Sequence, residues 1–382
     1  MKMCNLRIPQ YLLHAVLILA MACMLLFPVN IADFQRYVTE TRHYERATVE
    51  QIVLQELTES DLGTGQQLGQ QTLRARMADG EVVTVENYLT DTHNVLVREG
   101  QQIILCVDAP ENIEPYYTIY NYNRQPVLLA LIGVFLMLML LVGGKKGVHA
   151  AIAILFTLLF LLRVTLPAIY SGASPLLWGF LTVILSTLVT LVLLHGFTRQ
   201  CVLGFMVTMA GECAACALFA VFSSLLHLTG LQTENAEGLL LIAQSTGMQV
   251  RTLLFTGMML ASLGAVMDVA VSILSALREV AAAGRRDRRE LFSAGMNIGR
   301  DMIGTMSNTL IFAFAGGTLV TMLVFFSYGV QAQQLLNSDY LSVELAQGIC
   351  STAAVILTVP TGAVIGAAAY GTETTTRASA KK

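Results

Sequence analysis

Glu212, Asp268 and Asn308 each stand well inside an otherwise apolar run long enough to cross a membrane. An ionisable group at the centre of such a helix costs ~3 kcal/mol or more, so it normally faces a bundle interior or a water path. At the helical rise, Asp268 lies ~14 Å from the inner end of its run, Glu212 ~16 Å and Asn308 ~9 Å. Two acids and an amide at similar depth suit a proton- or cation-binding site on a transport path. The plainer alternative is packing, with Asp268 protonated or bonded to Asn308.

Spacing adds two polar stripes. Gly264, Asp268, Ser272 and Ser275 follow steps of four, four and three, which places them on one helical face. On the next run Asn297, Asp301 (or Arg300), Gly304 and Asn308 form a comparable line. Small residues let helices approach closely, and Ser and Asn hydrogen-bond between them. Pro360 followed by Gly362 marks a candidate helix break, and Ala315-Gly316-Gly317 a second. Interrupted helices are a sequence pointer to transporter binding sites. Gly362 and Gly366 also have the spacing of a close helix contact.

Other chemistries lack their residues. There is no Gly-x-x-x-x-Gly-Lys phosphate loop, no His-Glu-x-x-His and no Gly-x-Ser-x-Gly. No nucleophile–base pair is evident, so the chain reads as a non-enzyme that calls for no cofactor and no metal. The seven cysteines are too scattered for a disulfide framework. Cys213 and Cys216 have redox spacing, but in an apolar run two such thiols are ordinarily packing residues. His149, His195 and His227 fall at the ends of different runs.

These residues must be positioned by membrane helices. The chain of 382 residues is 55% hydrophobic and only 13% charged, against roughly 25% charged in soluble domains. An apolar run at about 11–31 follows Lys2 and Arg7 and approaches the ~20 residues that span hydrocarbon, which suggests a signal anchor. Seven more runs lie at about 127–143, 147–166, 175–195, 201–227, 251–277, 302–326 and 345–369. Between the first and second run the pattern changes to period two, as in Glu81-Val-Val-Thr-Val-Glu86, with turn signals at Asp79-Gly80 and Glu99-Gly100. This predicts five or six short strands.

Lys and Arg in short loops set the orientation. Loops near 167–174, 228–250 and 327–344 carry neither residue, whereas Lys145, Lys146, Arg199, Arg278 and the run Arg285 to Arg289 collect on the other side. Both termini are therefore expected in the cytoplasm and residues 33–125 outside. Arg285, Arg286, Arg288, Arg289 and Arg300 are candidate lipid headgroup contacts. The outer region is acidic, with fifteen Asp or Glu against seven Lys or Arg from 31 to 125. Nucleic acid is excluded as a partner because the basic cluster is short and membrane-adjacent.

The segment Gly264-Ala-Val-Met-Asp268-Val-Ala-Val-Ser272, with Asn297-Ile-Gly-Arg-Asp301-Met-Ile-Gly304-Thr-Met-Ser-Asn308, resembles the YibE/F-like family of bacterial polytopic membrane proteins. The resemblance extends to the anchor, the β-rich region and the Tyr120-Asn-Tyr-Asn-Arg124 approach to the second run. It supports the topology and supplies no substrate.

The expected architecture is an α-helical polytopic membrane protein with eight transmembrane helices and a small extracytoplasmic β-barrel or OB-like domain. Its parts are an anchor (1–32), the β-rich domain (33–125), a seven-helix bundle (126–370) and a cytoplasmic tail (371–382). The expected function is a secondary transporter or permease in the cell membrane, in contact with membrane lipids and a small-molecule or ion substrate. The alternative is a scaffold or sensor that binds a protein partner through the β domain.

Overall fold

The strands form because their residues alternate between a dry and a wet face. The computed structural model describes residues 10–26, 41–232, 235–284 and 287–372. In it β1 (Arg42–Glu59), β2 (Gln67–Met77), β3 (Val82–Leu89), β4 (Gln102–Asp108) and β5 (Tyr116–Tyr122) make one antiparallel sheet in the order β3-β2-β1-β4-β5. Every second residue of β3 is buried (Val83, Val85, Asn87, Leu89), and likewise Ile103, Leu105 and Val107 of β4. The turn signals hold: Gly80 (φ 94°) and Gly100 (φ 79°) both adopt the left-handed conformations that glycine tolerates. β1 changes register at Val49/Gln51 and again at Ile52/Leu54, and such irregularities bend a strand. The edge strands β3 and β5 come close without a ladder between them, so the sheet is a half-barrel rather than a closed barrel.

The segment at 94–98 fills the gap differently. It reads as strand-like, with Val95 and Val97 buried, yet it joins no ladder. Side-chain amides hold it instead. Gln71 donates to the Val97 carbonyl (3.1 Å) and accepts from the Val97 N–H (3.2 Å), while Asn87 donates to the Val95 carbonyl (2.9 Å).

The packing separates two compact units. One holds the described residues of Gln35–Leu138, and the other the N-terminal helix with the described residues from Met139 onward. The helices are α1 (Gln10–Leu26), α2 (Gln125–Phe160), α3 (Leu166–Tyr170), α4 (Pro175–His195), α5 (Arg199–Leu225), α6 (Ala236–Thr246), α7 (Val250–Ala282), α8 (Arg288–Ser327), α9 (Ala332–Leu336) and α10 (Asp339–Tyr370). A single π-helical turn, Leu161–Thr165, joins α2 to α3.

Among the described residues six helices are long and apolar enough to cross a membrane, where the sequence suggests eight. The difference has two sources. The stretch Gln125–Tyr170 counts as one apolar helical stretch of 46 residues, about twice the ~20 residues that span a hydrocarbon core. Gly144 interrupts it with φ 52° and ψ −132°, a glycine conformation, and a Cβ on Gly147 would fall 1.9 Å from the Met139 carbonyl oxygen. The two expected runs thus meet at a sharp local turn. The N-terminal helix contributes a described apolar stretch of only Val16–Leu26.

In the helical unit α7 is the enclosed element, with Met258, Met259, Val266, Val269, Ile273 and Leu277 fully buried. It packs against α4, α5, α8 and α10. Close approach depends on glycine: a Cβ on Gly299 would lie 2.2 Å from Val359 Cγ1, and one on Gly366 2.5 Å from Leu277 Cδ1. The expected break at Pro360 and Gly362 is absent, because α10 runs unbroken from Asp339 to Tyr370. Proline removes one backbone bond, but neighbours brace the segment on both sides. Val359 meets Gly299, and Gly362 rests against Val207 and Ile273. Likewise, α8 continues through Ala315-Gly316-Gly317.

Candidate functional site

Gly264, Asp268 and Ser272 lie four residues apart on the one flank of α7 that the core leaves open. They line a cleft of about 690 Å³ bounded by the second half of α2, by α4, by α7 and by α8. Across from the acid stand Thr157 of α2 and Ser186 and Thr190 of α4. Thr157 Oγ lies 2.7 Å from Ser186 Oγ and donates to the Ala153 carbonyl at 2.9 Å. Either hydroxyl can donate to the other, so the pair offers the cleft acceptor lone pairs and at most one proton. The rest of the lining is apolar, with Met267, Met302 and Met306 among it.

Glu212 occupies a different place. It is fully buried on α5 and meets α7 through Ser262, whose Oγ lies 3.1 and 3.0 Å from the two carboxyl oxygens. The same hydroxyl reaches the Met258 and Met259 carbonyls at 3.1 and 3.2 Å. The Met258 carbonyl also accepts from Ser351 of α10 at 3.3 Å. One polar thread therefore crosses α5, α7 and α10. Ser262 has a single proton, so its hydroxyl can serve the Glu212 carboxyl group or a backbone carbonyl of α7, but not both at once. One turn earlier on α5, Thr208 Oγ is buried without a hydrogen-bond partner.

The acids thus do not converge. Ser262 and Asp268 are six residues apart on α7, about 120° of rotation and ~9 Å of rise, so Glu212 and Asp268 open to different sides. Asn308 joins neither. The face of α8 that packs inward carries Leu291, Gly295, Gly299, Met302, Met306 and Leu310, whereas Asn297, Asp301, Gly304 and Asn308 are all exposed on the opposite one. Met302 and Met306, and not Asn308, are the α8 side chains that line the Asp268 cleft. Asn297 Oδ1 accepts from Arg300 at 3.2 Å. Ser275 leaves its stripe as well: it accepts from Gln200 (2.6 Å), which in turn accepts from Arg278 (2.6 Å).

Of the basic candidates, Arg288, Arg289 and Arg300 are exposed on α8, while Arg285 and Arg286 lie outside the described residues, as do residues 1–9 and 373–382. Sequence reasoning passed over Ser262, Ser351, Thr157, Ser186 and Thr190. Their signal was spacing: Thr157 lies one turn from Ala153, and Ser186 and Thr190 lie four apart on α4.

The helical unit also carries the family signal. Residues 131–372, well over half of the chain, match the model of YibE/F-like proteins. The chain belongs to the YibE/F-like family. The match covers both α7 and α8 and starts after the half-barrel, so the family likeness is narrower than the one suggested by the N-terminal features. Comparison with curated proteins and with solved structures gives no significant match. Family and apolar helices together make this a membrane protein.

Proposed function

We propose that this YibE/F-like protein is a secondary transporter or permease of the cell membrane, with Asp268 as the proton- or cation-binding group on its path. Both termini would be cytoplasmic and the half-barrel outside, following the Lys and Arg distribution. The observation that carries the reading is the cleft: a single carboxyl group opposite hydroxyls, among four helices, within an apolar span. Packing leaves Asp268 open on this flank of α7. Such a group can exchange a proton or a cation without opening the core.

The test is ion flux into proteoliposomes holding the full-length chain and a pH-sensitive dye, under an imposed gradient, with a small-molecule cell extract as the co-substrate pool. Wild type should move protons or sodium faster than empty liposomes, and Asp268→Asn should remove most of that increment. Equal flux in wild type, variant and empty liposomes would discard the reading.

A second reading rests on the half-barrel. Tyr44, Tyr88, Tyr116 and Tyr120 are all more than half exposed, and Tyr44 meets Tyr120 edge-on at 4.9 Å. Tyrosine is enriched at protein interfaces, which suits a scaffold or sensor that captures an extracytoplasmic partner. Deleting residues 41–120 separates the two: partner capture lost with ion flux intact would leave transport as the main role of the bundle.

A further inference from the structure

We propose that the Asp268 cleft binds a lipophilic organic cation, a molecule with an apolar body and one alkylated or delocalised positive centre. The proposal rests on the transport reading of the same site and names its substrate class.

Charge excludes the anions. Among the described residues, Asp268 is the only charged one in the lining, and no Lys, Arg or His lines the cleft from α2, α4, α7 or α8. An anion would meet that carboxyl group with no cationic side chain in the lining to offset it. Coordination disfavours Ca²⁺ and Mg²⁺. Hard cations require six or more oxygen ligands or an octahedral shell, and the cleft offers one carboxyl group and scattered hydroxyls. Among the described residues no group of three His, Cys, Asp or Glu is placed to hold a metal.

An organic cation needs no such shell. Its charge pairs with Asp268, and its body meets Ile154, Leu158, Leu260, Leu263 and Val271. About 690 Å³ is the size of a pocket for a drug-sized molecule. Methionine is unbranched and polarisable and moulds to varied shapes, so Met267, Met302 and Met306 fit a site that accepts a class rather than one compound. None of the other lining side chains is titratable. A proton and an organic cation therefore compete for one carboxyl group, which is the elementary requirement for exchanging one against the other.

The experiment measures ethidium anisotropy against the full-length protein in nanodiscs of zwitterionic lipid, with tetraphenylphosphonium as competitor. Saturable binding is expected, displaced by tetraphenylphosphonium but not by tetraphenylborate, an anion of the same shape. Asp268→Asn should weaken binding about tenfold or more, Asp268→Glu should retain it, and Ser272→Leu should block the cleft sterically. All variants are compared at matched elution volume and melting temperature, so misfolding does not mimic loss. Equal binding by Asp268→Asn, equal competition by tetraphenylborate, or absence of saturable binding overturns the proposal. So does cross-linking of Asp268→Cys between two copies, which would make the cleft a subunit contact, and filling by lipid chains alone would show as no binding. Failure here with Asp268-dependent ion flux intact leaves the transport reading standing. Binding without flux does the reverse.

Discussion

Gln71 in the half-barrel and Glu212 in the bundle are both buried polar groups, but they are satisfied to different degrees. In the half-barrel, Gln71 is wholly enclosed and every polar atom of its amide is used. Its nitrogen donates to Gln55 (3.0 Å) and to the Val97 carbonyl (3.1 Å), and its oxygen accepts from Asn87 and from the Val97 N–H (both 3.2 Å). In the bundle, Glu212 is just as enclosed but has one hydroxyl for two oxygens, and Thr208 beside it has no partner. A saturated network fixes a shape, because buried polar groups are tolerated when each bond is made. An unsaturated one leaves room for a proton to arrive or leave. The comparison separates polar groups that close a fold from those available to a mechanism.

The largest effect should come from breaking the saturated side. Gln71→Ala strands the Val97 N–H and C=O and one Asn87 donor in a dry interior, each costing ~1–3 kcal/mol. Loss of about 3 kcal/mol is expected, seen as faster hydrogen exchange over 67–107 in the full-length protein with the helices unchanged. Protection that survives the substitution would show that the ladders alone hold the half-barrel, and the comparison would lose its first term.

The second effect is smaller because the bundle's network is already incomplete. Ser262→Ala removes the side chain that, among the described residues, bonds Glu212 and should cost about 1–2 kcal/mol, read as a lower melting temperature in detergent. In a Glu212→Gln background the same change should cost less, since the pair acts as a unit. Additive losses in the double variant would mean that Ser262 serves only the Met258 carbonyl.

The sequence made these regions legible to different degrees, for physical reasons. A strand half in water alternates, so Val83, Val85, Ile103 and Leu105 declare their face one by one. What the alternation in 94–98 conceals is that its backbone partners are the Gln71 and Asn87 side chains. A membrane helix is apolar on all sides, so length announces it and periodicity does not say which side packs. On α7, Gly264, Asp268 and Ser272 lie on the exposed flank, while Ser275 turns to Gln200. On α8 the polar stripe misled: Gly295 and Gly299 are the contact, as their approach to Ala363 and Val359 shows, and Asn308 is turned away. In a membrane, small residues are the stronger sign of packing, and an amide is the weaker one. Asp268 and Glu212 stood at matched depth, but depth is one coordinate of three.

The smallest effect probes an exposed charge, which the comparison ranks below both buried networks. Arg42 and Asp108 are cross-strand partners on β1 and β4, and Arg42 Nε donates to Asp108 Oδ2 at 2.7 Å. That hydrogen bond, with a further one from Thr41, holds the Asp108 carboxyl below its usual range. A carboxyl whose folded value is depressed adds stability above its ordinary titration range and loses it as pH falls through the lowered folded value. The half-barrel should therefore weaken on acidification, and Asp108→Asn should flatten that slope while leaving neutral-pH stability close to wild type. Because both groups are solvent-exposed, screening keeps the effect slight and added salt should shrink it further. Urea midpoints of the full-length protein, followed by tyrosine fluorescence from neutral to acid pH, give the reading. An Asp108→Asn slope as steep as wild type would assign the acid sensitivity to other carboxyl groups, and a loss rivalling that of Gln71→Ala would make surface pairing, not interior saturation, the main support of the half-barrel.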